Sequence, residues 1–252
     1  MRLDLFLVEK GFFESRSKAK AAIEAGNIII NGKAVTKSSY DVLDTDLVKV
    51  EGNVNPYVSR GGLKLEAAIK SFFIDMNGKT VLDIGASTGG FTDCALQHGA
   101  KKVYAVDVGT NQLAEKLLYD KRVISLEQTN IIDIEFFPEP IDLIVMDVSF
   151  VSLGYMLPNI VKHITKDNAL ICLIKPQFEV GKVHMKNGIV KDRTVHIKVL
   201  ENVIEECKKY DLGITKLITS PILGGSGNKE FLAYIKLGSQ TKVNVLELFN
   251  KE

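Results

Sequence analysis

A chain of 252 residues has room for one large domain or two modest ones, and a 46% apolar, 25% charged composition is that of a globular protein with a real core. No apolar run approaches the roughly 20 residues that span a bilayer, and residues 1–10 carry Asp4 and Glu9 without a small-residue cleavage site, so neither a membrane span nor a secretory signal is expected. The net charge of +1 does not by itself mark a nucleic-acid binder. The cysteines Cys94, Cys172 and Cys207 stand far apart without a C-x-x-C pair, and the four histidines lack ligand spacing. No disulfide framework and no metal site is therefore expected, and the cysteine usage fits a reducing cytoplasm.

Residues 1–52 read as a compact α+β unit. Leu3, Leu5, Phe6 and Val8 open a first helical turn that Gly11 stops. Ser15 is a candidate N-cap for a helix over 16–25, with Ala19, Ala22 and Ile23 at helical spacing, and Gly26 ends it. Strands are predicted at 27–30 and 33–35 around an Asn31-Gly32 turn, with a last one at 46–50. Charge is uneven: six cations against two acids (Glu14 and Glu24) occur over residues 10–37, whereas Asp41, Asp44, Asp46 and Glu51 outweigh Lys49 just beyond. Such a basic face can contact phosphates or simply be solvated.

Residues 53–56 (Asn53, Val54, Asn55, Pro56) are polar and turn-prone, which puts a linker over 53–59 and a larger domain over 60–252. A helix is expected over 60–73, with Leu65, Ile69 and Phe72 on one face. Apolar runs at 81–84, 103–108, 123–126, 143–148 and 170–174, separated by helical segments, predict strands buried on both faces of a parallel sheet. Runs at 214–218 and 231–235 are joined by only a Gly-rich loop, too short for a parallel crossover, so they form an antiparallel hairpin. A mostly parallel, Rossmann-like α/β sheet of seven strands with an antiparallel last strand is the class I methyltransferase shape. The tail over 242–252 reads as a short helix.

The most informative string is VLDIGASTGGFT at 81–92. A buried strand ends in glycines and a helix begins near Gly90, a bend at which a side chain would block a ligand from the backbone. Asp107 closes the next strand 22 residues after Gly85, where an acid can accept both ribose hydroxyls of a nucleoside. The spacing is not G-x-G-x-x-G, and Asp83 ahead of the loop would face a pyrophosphate with its charge. A cationic ligand with an amino-acid end, such as S-adenosyl-L-methionine, fits better. The plainer alternative is a strand-turn-helix whose glycines serve geometry alone. Asp133 and Asp142 read as solvated or capping acids.

Four strings in order, DIGASTGGFTD at 83–93, DVSF at 147–150, KPQFE at 175–179 and GGSGNKE at 224–230, resemble the TlyA (haemolysin A) family of ribose 2′-O-methyltransferases, whose catalytic domain is FtsJ-like. Residues 1–52, with Arg2-Leu3-Asp4, Ser15-Arg16 and GNIIING at 26–32, resemble the RNA-binding module of ribosomal protein S-four. The resemblance implies a Lys-Asp-Lys-Glu tetrad at Lys64, Asp147, Lys175 and Glu230. Lys175 would remove the proton of a ribose 2′-hydroxyl, Lys64 would stand beside it as a second cation, and Asp147 and Glu230 would orient the pair. It implies S-adenosyl-L-methionine as cofactor, met by Asp83, Gly85, Ala86, Ser87, Thr88, Gly89, Gly90, Phe91 and Thr92 at its methionine end, Asp107 at the ribose and Asn130 at the adenine. Phe178 is a candidate for stacking on a base or for the core.

The implied partner is ribosomal RNA, alone or within ribosomal subunits, with cytidine the expected target. Arg2, Arg16, Lys18, Lys20 and Lys33 are the candidate phosphate contacts, and such contacts position RNA without reading its sequence. Arg60 joins that set and, with Tyr57, is a candidate for coupling the domains, although a plain linker accounts for both equally. A catalytically idle RNA-binding assembly factor would not need the tetrad. A directly membrane-lysing protein would need a spanning or strongly basic amphipathic segment that the sequence lacks.

Overall fold

The computed structural model describes residues 1–13, 15–43, 45–51 and 55–250; Glu14, Asp44 and the linker residues Asn53 and Val54 lie outside the described residues. Its packing separates two units, Met1–Pro56 and Tyr57–Glu252.

In the first unit, α1 (Leu3–Glu9) and α2 (Arg16–Glu24) cover a three-stranded antiparallel sheet of β1 (Ile28–Ile30), β2 (Lys33–Ala34) and β3 (Val48–Val50), in the order β2-β1-β3. Ser15 caps α2 by accepting the Lys18 N–H at 3.3 Å. Asn31 and Gly32 both take left-handed backbone, φ +51° and +80°, the conformation a two-residue hairpin requires. Leu3, Leu7, Ala19, Ile23, Ile28 and Ile30 form the core of this unit.

The second unit begins with α3 (Gly61–Phe72) and continues as β4 (Thr80–Ile84), α4 (Gly90–Gln97), β5 (Lys102–Val106), α5 (Glu115–Leu118) and β6 (Val123–Leu126). There follow β7 (Leu143–Met146), α6 (Leu153–Ile160), β8 (Leu170–Ile174), α7 (Pro176–Glu179), α8 (Arg193–Lys208), β9 (Leu212–Thr219) and β10 (Phe231–Leu237). The sheet order is β6-β5-β4-β7-β8-β10-β9, parallel from β6 to β8, with β10 antiparallel to both of its neighbours. Alternation along each strand feeds two cores. Leu82, Ile84, Leu170, Cys172 and Ile174 pack with α6 and α8, while Val81, Ile171 and Leu173 pack with α3 and α4 on the other face. The tail forms a 3-10 segment, Val245–Phe249, whose Phe249 ring lies against Phe231 and His196.

Two strands are shorter than their apolar runs. β5 stops at Val106 and β7 at Met146, so Asp107 and Asp147 stand on loops beyond the sheet rim, and Val108 is 71% exposed. Hydropathy reads an apolar residue in a ligand-facing loop and one in a buried strand alike.

Candidate active site

The chain runs outward through β4, β5 and β6, then returns to place β7 on the other side of β4. Where the strand order reverses, the loops after neighbouring strands diverge and leave a crevice at their carboxyl ends. Gly85 stands at that point with φ +80°, and a Cβ there would come within 3.0 Å of the Asp147 carbonyl oxygen. Only glycine lets the loops after β4 and β7 approach so closely.

Two cavities meet at Gly85, Ser87, Asp147 and Ser149. The larger, about 550 Å³, has apolar walls from Ile84, Val106, Val108 and Ile131, with Asp107 and Asn130 among its polar groups. Asp107 accepts the Ser87 N–H on one carboxylate oxygen and the Gly109 N–H on the other, each at 2.7 Å. Each oxygen keeps a further lone pair, so the fixed carboxylate can still accept two hydroxyls. Asn130 uses its Oδ1 to accept the Ile132 N–H at 3.2 Å, which leaves its amide donors available.

The smaller cavity, about 240 Å³, is lined by Ser59, Arg60, Lys64, Asp147, Ser149 and Lys175 together with Gly85–Thr88, Gly90 and Phe91. Here the four residues of the implied tetrad come together from α3, the loop after β7, the end of β8 and the start of β10. Lys64 Nζ is 2.6 Å from Glu230 Oε2 and 3.7 Å from Asp147 Oδ2. Lys175 Nζ is 2.6 Å from Asp147 Oδ1 and donates to Ser149 Oγ at 2.9 Å. Cation and anion thus alternate along Glu230, Lys64, Asp147 and Lys175, with side-chain exposures of only 3%, 10%, 19% and 9%. Desolvation makes such an array a weak source of stability, whereas deleting one member strands a buried charge at a cost of about 3–5 kcal/mol. Gly224 leaves the room that Glu230 occupies: a Cβ there would sit 2.2 Å from Glu230 Oε1. Gln177 adds a long hydrogen bond to the same oxygen, at 3.4 Å.

Beside the amine of Lys175 stands an aromatic pair. The Phe150 and Phe178 ring centroids are 5.2 Å apart, and Lys175 Nζ is 5.8 Å from the Phe178 centroid. Phe150 is 91% exposed and holds left-handed backbone at φ +66°, an unusual conformation for a bulky residue.

Three residues expected at the cofactor do not line either cavity: Asp83, Gly89 and Thr92. Residue 83 shares its sheet face with Val81, so its side chain turns under the loop towards α4 rather than outwards. There it is fully buried, accepts the Thr92 hydroxyl at 2.6 Å, and has its pKa pushed up to about 7 by burial. It supports the loop from below rather than presenting a charge to a ligand. Gly89 packs against Leu117 of α5. Arg60, expected at RNA or between the domains, donates to the Leu223 carbonyl at 3.0 Å across the rim of the smaller cavity, and Tyr57 is buried against Gly62. Asp142, read as a capping or solvated acid, accepts the Thr80 N–H at the start of β4 at 2.8 Å.

The sequence reading passed over Ser149, although it sits inside the DVSF string, and Ser59 and Gln177. It also passed over Glu127, whose carboxylate accepts the N–H groups of Asn111, Gln112 and Leu113 at 2.8, 3.0 and 3.3 Å and so shapes the loop after Asp107. The available signal was an acid directly following the third apolar run of the sheet.

In the first unit Arg2 and Arg16 both pair with Asp4, at 3.0 and 2.7 Å. Their guanidinium groups hold this fully buried carboxyl well below the usual carboxylate range. The two side chains remain 44% and 52% exposed, and Lys20 and Lys33 are exposed on α2 and β2. Among the described residues no helix is long and apolar enough to cross a membrane, and no His, Cys, Asp or Glu cluster could hold a metal ion.

Residues 57–237 match the FtsJ-like methyltransferase family, and residues 1–48 match the S4 domain. Hemolysin A of Brachyspira hyodysenteriae is 47% identical over 240 residues, covering 93% of this chain and 99% of its own. TlyA of Mycobacterium tuberculosis, a 16S/23S rRNA (cytidine-2′-O)-methyltransferase, is 38% identical over 239 residues, covering 93% of this chain and 89% of its own. A solved hemolysin structure from Streptococcus thermophilus is 41% identical, with a TM-score of 0.76 over 100% of this chain and 97% of that one. Fold and relatives agree: the chain belongs to the FtsJ-like methyltransferases, in the TlyA and Hemolysin A family, with an S4 domain ahead of the methyltransferase domain.

Proposed function

We propose that the protein methylates a ribose 2′-hydroxyl of ribosomal RNA, a cytidine within a ribosomal subunit, using S-adenosyl-L-methionine. In this reading the second unit performs the chemistry, with residues 57–59 of the expected 53–59 linker belonging to it, and the first unit holds RNA through Arg2, Arg16, Lys18, Lys20 and Lys33. The observation that carries it is the buried Glu230–Lys64–Asp147–Lys175 array beside a nucleoside-sized cavity that ends in Asp107. A protein that only held RNA would leave that array without a purpose. The named activity of the TlyA relative supports the substrate class, and work on ribosomal RNA belongs in the cytoplasm.

The crevice fits the cofactor. Asp107 keeps lone pairs for two ribose hydroxyls, Val108 and Ile131 offer apolar faces to a base, and Gly85, where the loops after β4 and β7 close on each other, lines both cavities. When bound, S-adenosyl-L-methionine supplies a methyl group on a cationic sulfur. Lys175, once it has given up to solvent the proton with which it pairs to Asp147, takes the proton of the 2′-hydroxyl as that oxygen attacks. Asp147 and Ser149 aim the Lys175 amine, and Asp147 then faces the ammonium that results. Lys64, pinned by Glu230, holds the other oxygen of Asp147 and fixes the plane of the carboxylate. Phe150 offers an exposed ring on which an unstacked base can lie.

Single-turnover transfer at saturating cofactor and RNA isolates the chemical step. Lys175→Ala should lower its rate by roughly 10²–10⁴-fold, the range for a positioned base. Lys175→Arg should fail almost as badly, because arginine keeps its proton near neutral pH. A near-normal rate for the arginine variant would leave Lys175 an electrostatic anchor and not a base.

A further inference from the structure

From Val180 to Lys191 the chain carries Lys182, His184, Lys186 and Lys191 and no acid, although the protein as a whole balances 32 basic against 31 acidic residues. Five exposed lysines elsewhere, Lys49, Lys70, Lys116, Lys208 and Lys209, each lie within 3.0 Å of a carboxylate oxygen, while most exposed lysines form no such pair among the described residues. Lys182, Lys186 and Lys191 are exposed and form no ion pair among the described residues. Even with Glu179 and Asp192 at its two ends, the segment keeps a net positive charge, concentrated on three exposed lysines.

This loop is built rather than loose. It follows α7, and therefore Lys175, directly. A 3-10 turn at Lys182–His184 leads into a tight reversal, in which Lys186 and Ile189 exchange main-chain hydrogen bonds at 2.9 and 3.1 Å around Asn187 and Gly188, at φ +52° and +76°. Asn228 locks the reversal from inside. Its Oδ1 accepts the Val190 N–H and its Nδ2 donates to the Gly188 carbonyl, both at 2.9 Å. Asn228 is fully buried, a position that is costly for an amide unless both of its ends are met. Its own carbonyl accepts the Gly224 N–H at 2.8 Å, and Gly224 is the residue that makes room for Glu230. The basic loop is thereby fastened to the same segment that closes the smaller cavity through Ile222, Leu223 and Gly225. The lock fixes the backbone that carries the lysines, so less of the loop's conformational entropy is lost when they bind.

We propose that Lys182, Lys186 and Lys191 form a ridge that grips the RNA phosphodiester backbone beside the active site, a second RNA contact on the catalytic unit itself. This rests on the reading of the substrate as RNA. The ridge steadies the strand flanking the target nucleotide and reads no sequence, since phosphates are alike at every position.

The test is a salt titration of binding between the full chain and purified ribosomal RNA. Each lost phosphate contact removes about 0.7–0.9 from the slope of log affinity against log salt. The triple variant K182A/K186A/K191A should therefore lose about 2–3 from that slope, with weaker binding at low salt. Its S-adenosyl-L-methionine affinity and its turnover at saturating RNA should stay at wild-type values. The triple variant K182R/K186R/K191R should keep the wild-type slope, because charge rather than lysine chemistry is at work. An unchanged slope in the alanine variant, in a protein whose wild type binds and methylates RNA, overturns the ridge and leaves the proposed function standing. A wild type that neither binds nor methylates RNA would remove both.

Discussion

Asp83 illustrates how far a single residue can be read. The sequence supplies an acid ahead of a glycine loop, and with it the idea of a charge facing a cationic ligand. Strand alternation, which depends on register rather than residue type, turns that carboxyl under the loop onto the Thr92 hydroxyl, where one of its oxygens has no hydrogen-bond partner. Burial pushes its pKa to about 7 from 3.8, and the neighbouring Asp147 and Asp107 add to the effect. For an acid raised in this way, the folded state binds the proton more tightly than the unfolded chain. Its contribution to stability is full below about pH 4 and is lost as pH rises through about 7. Asp83→Asn keeps the shape and removes the titration. The stability difference between variant and wild type should therefore move in favour of the variant from pH 4 to pH 8, by about 1–4 kcal/mol at about 1.4 kcal/mol per pH unit. Denaturant unfolding at several pH values measures this, and parallel curves would show that Asp83 does not titrate in that window.

At the scale of elements, strings with strong local physics were legible: the Ser15 cap, the Asn31-Gly32 hairpin, and apolar runs that became strands feeding two cores. The positions of Asp107 and Asp147 just past the strand ends were legible only as an order along the chain. Their exact lift off the sheet depends on where Gly85 lets two loops touch, a contact between residues 62 apart in sequence that no local pattern encodes. The tetrad was visible through family resemblance, since four charges from four elements have no common spacing. Supporting groups such as Glu127 and Ser149 became visible only in three dimensions. Asp107 gives the sharpest test of the loop that they build. Replacing it with alanine removes the proposed acceptor for the ribose and releases the Ser87 and Gly109 N–H groups together. Affinity for S-adenosyl-L-methionine, measured by calorimetry, should fall about 10- to 100-fold, which corresponds to the roughly 1.5–3 kcal/mol of a charge-assisted hydrogen bond. Unchanged affinity would place the nucleoside elsewhere.

At the scale of the whole molecule, an RNA-binding type of module precedes a methyltransferase whose lysines and acids meet at one crevice. The cofactor side and the tetrad side of that crevice share Gly85, Ser87, Asp147 and Ser149. A hydroxyl beside Lys175 and a methyl donor held by Asp107 would thus meet at one opening, which is what ties the chemistry to a ribose oxygen. The direct measurement is transfer of labelled methyl from S-adenosyl-L-methionine to purified ribosomal subunits, followed by digestion to nucleosides and mass spectrometry of the labelled product. The account predicts label on 2′-O-methylcytidine, abolished by Lys175→Ala. Label on a base, or no transfer to either subunit by a wild-type protein that binds the cofactor, would contradict it.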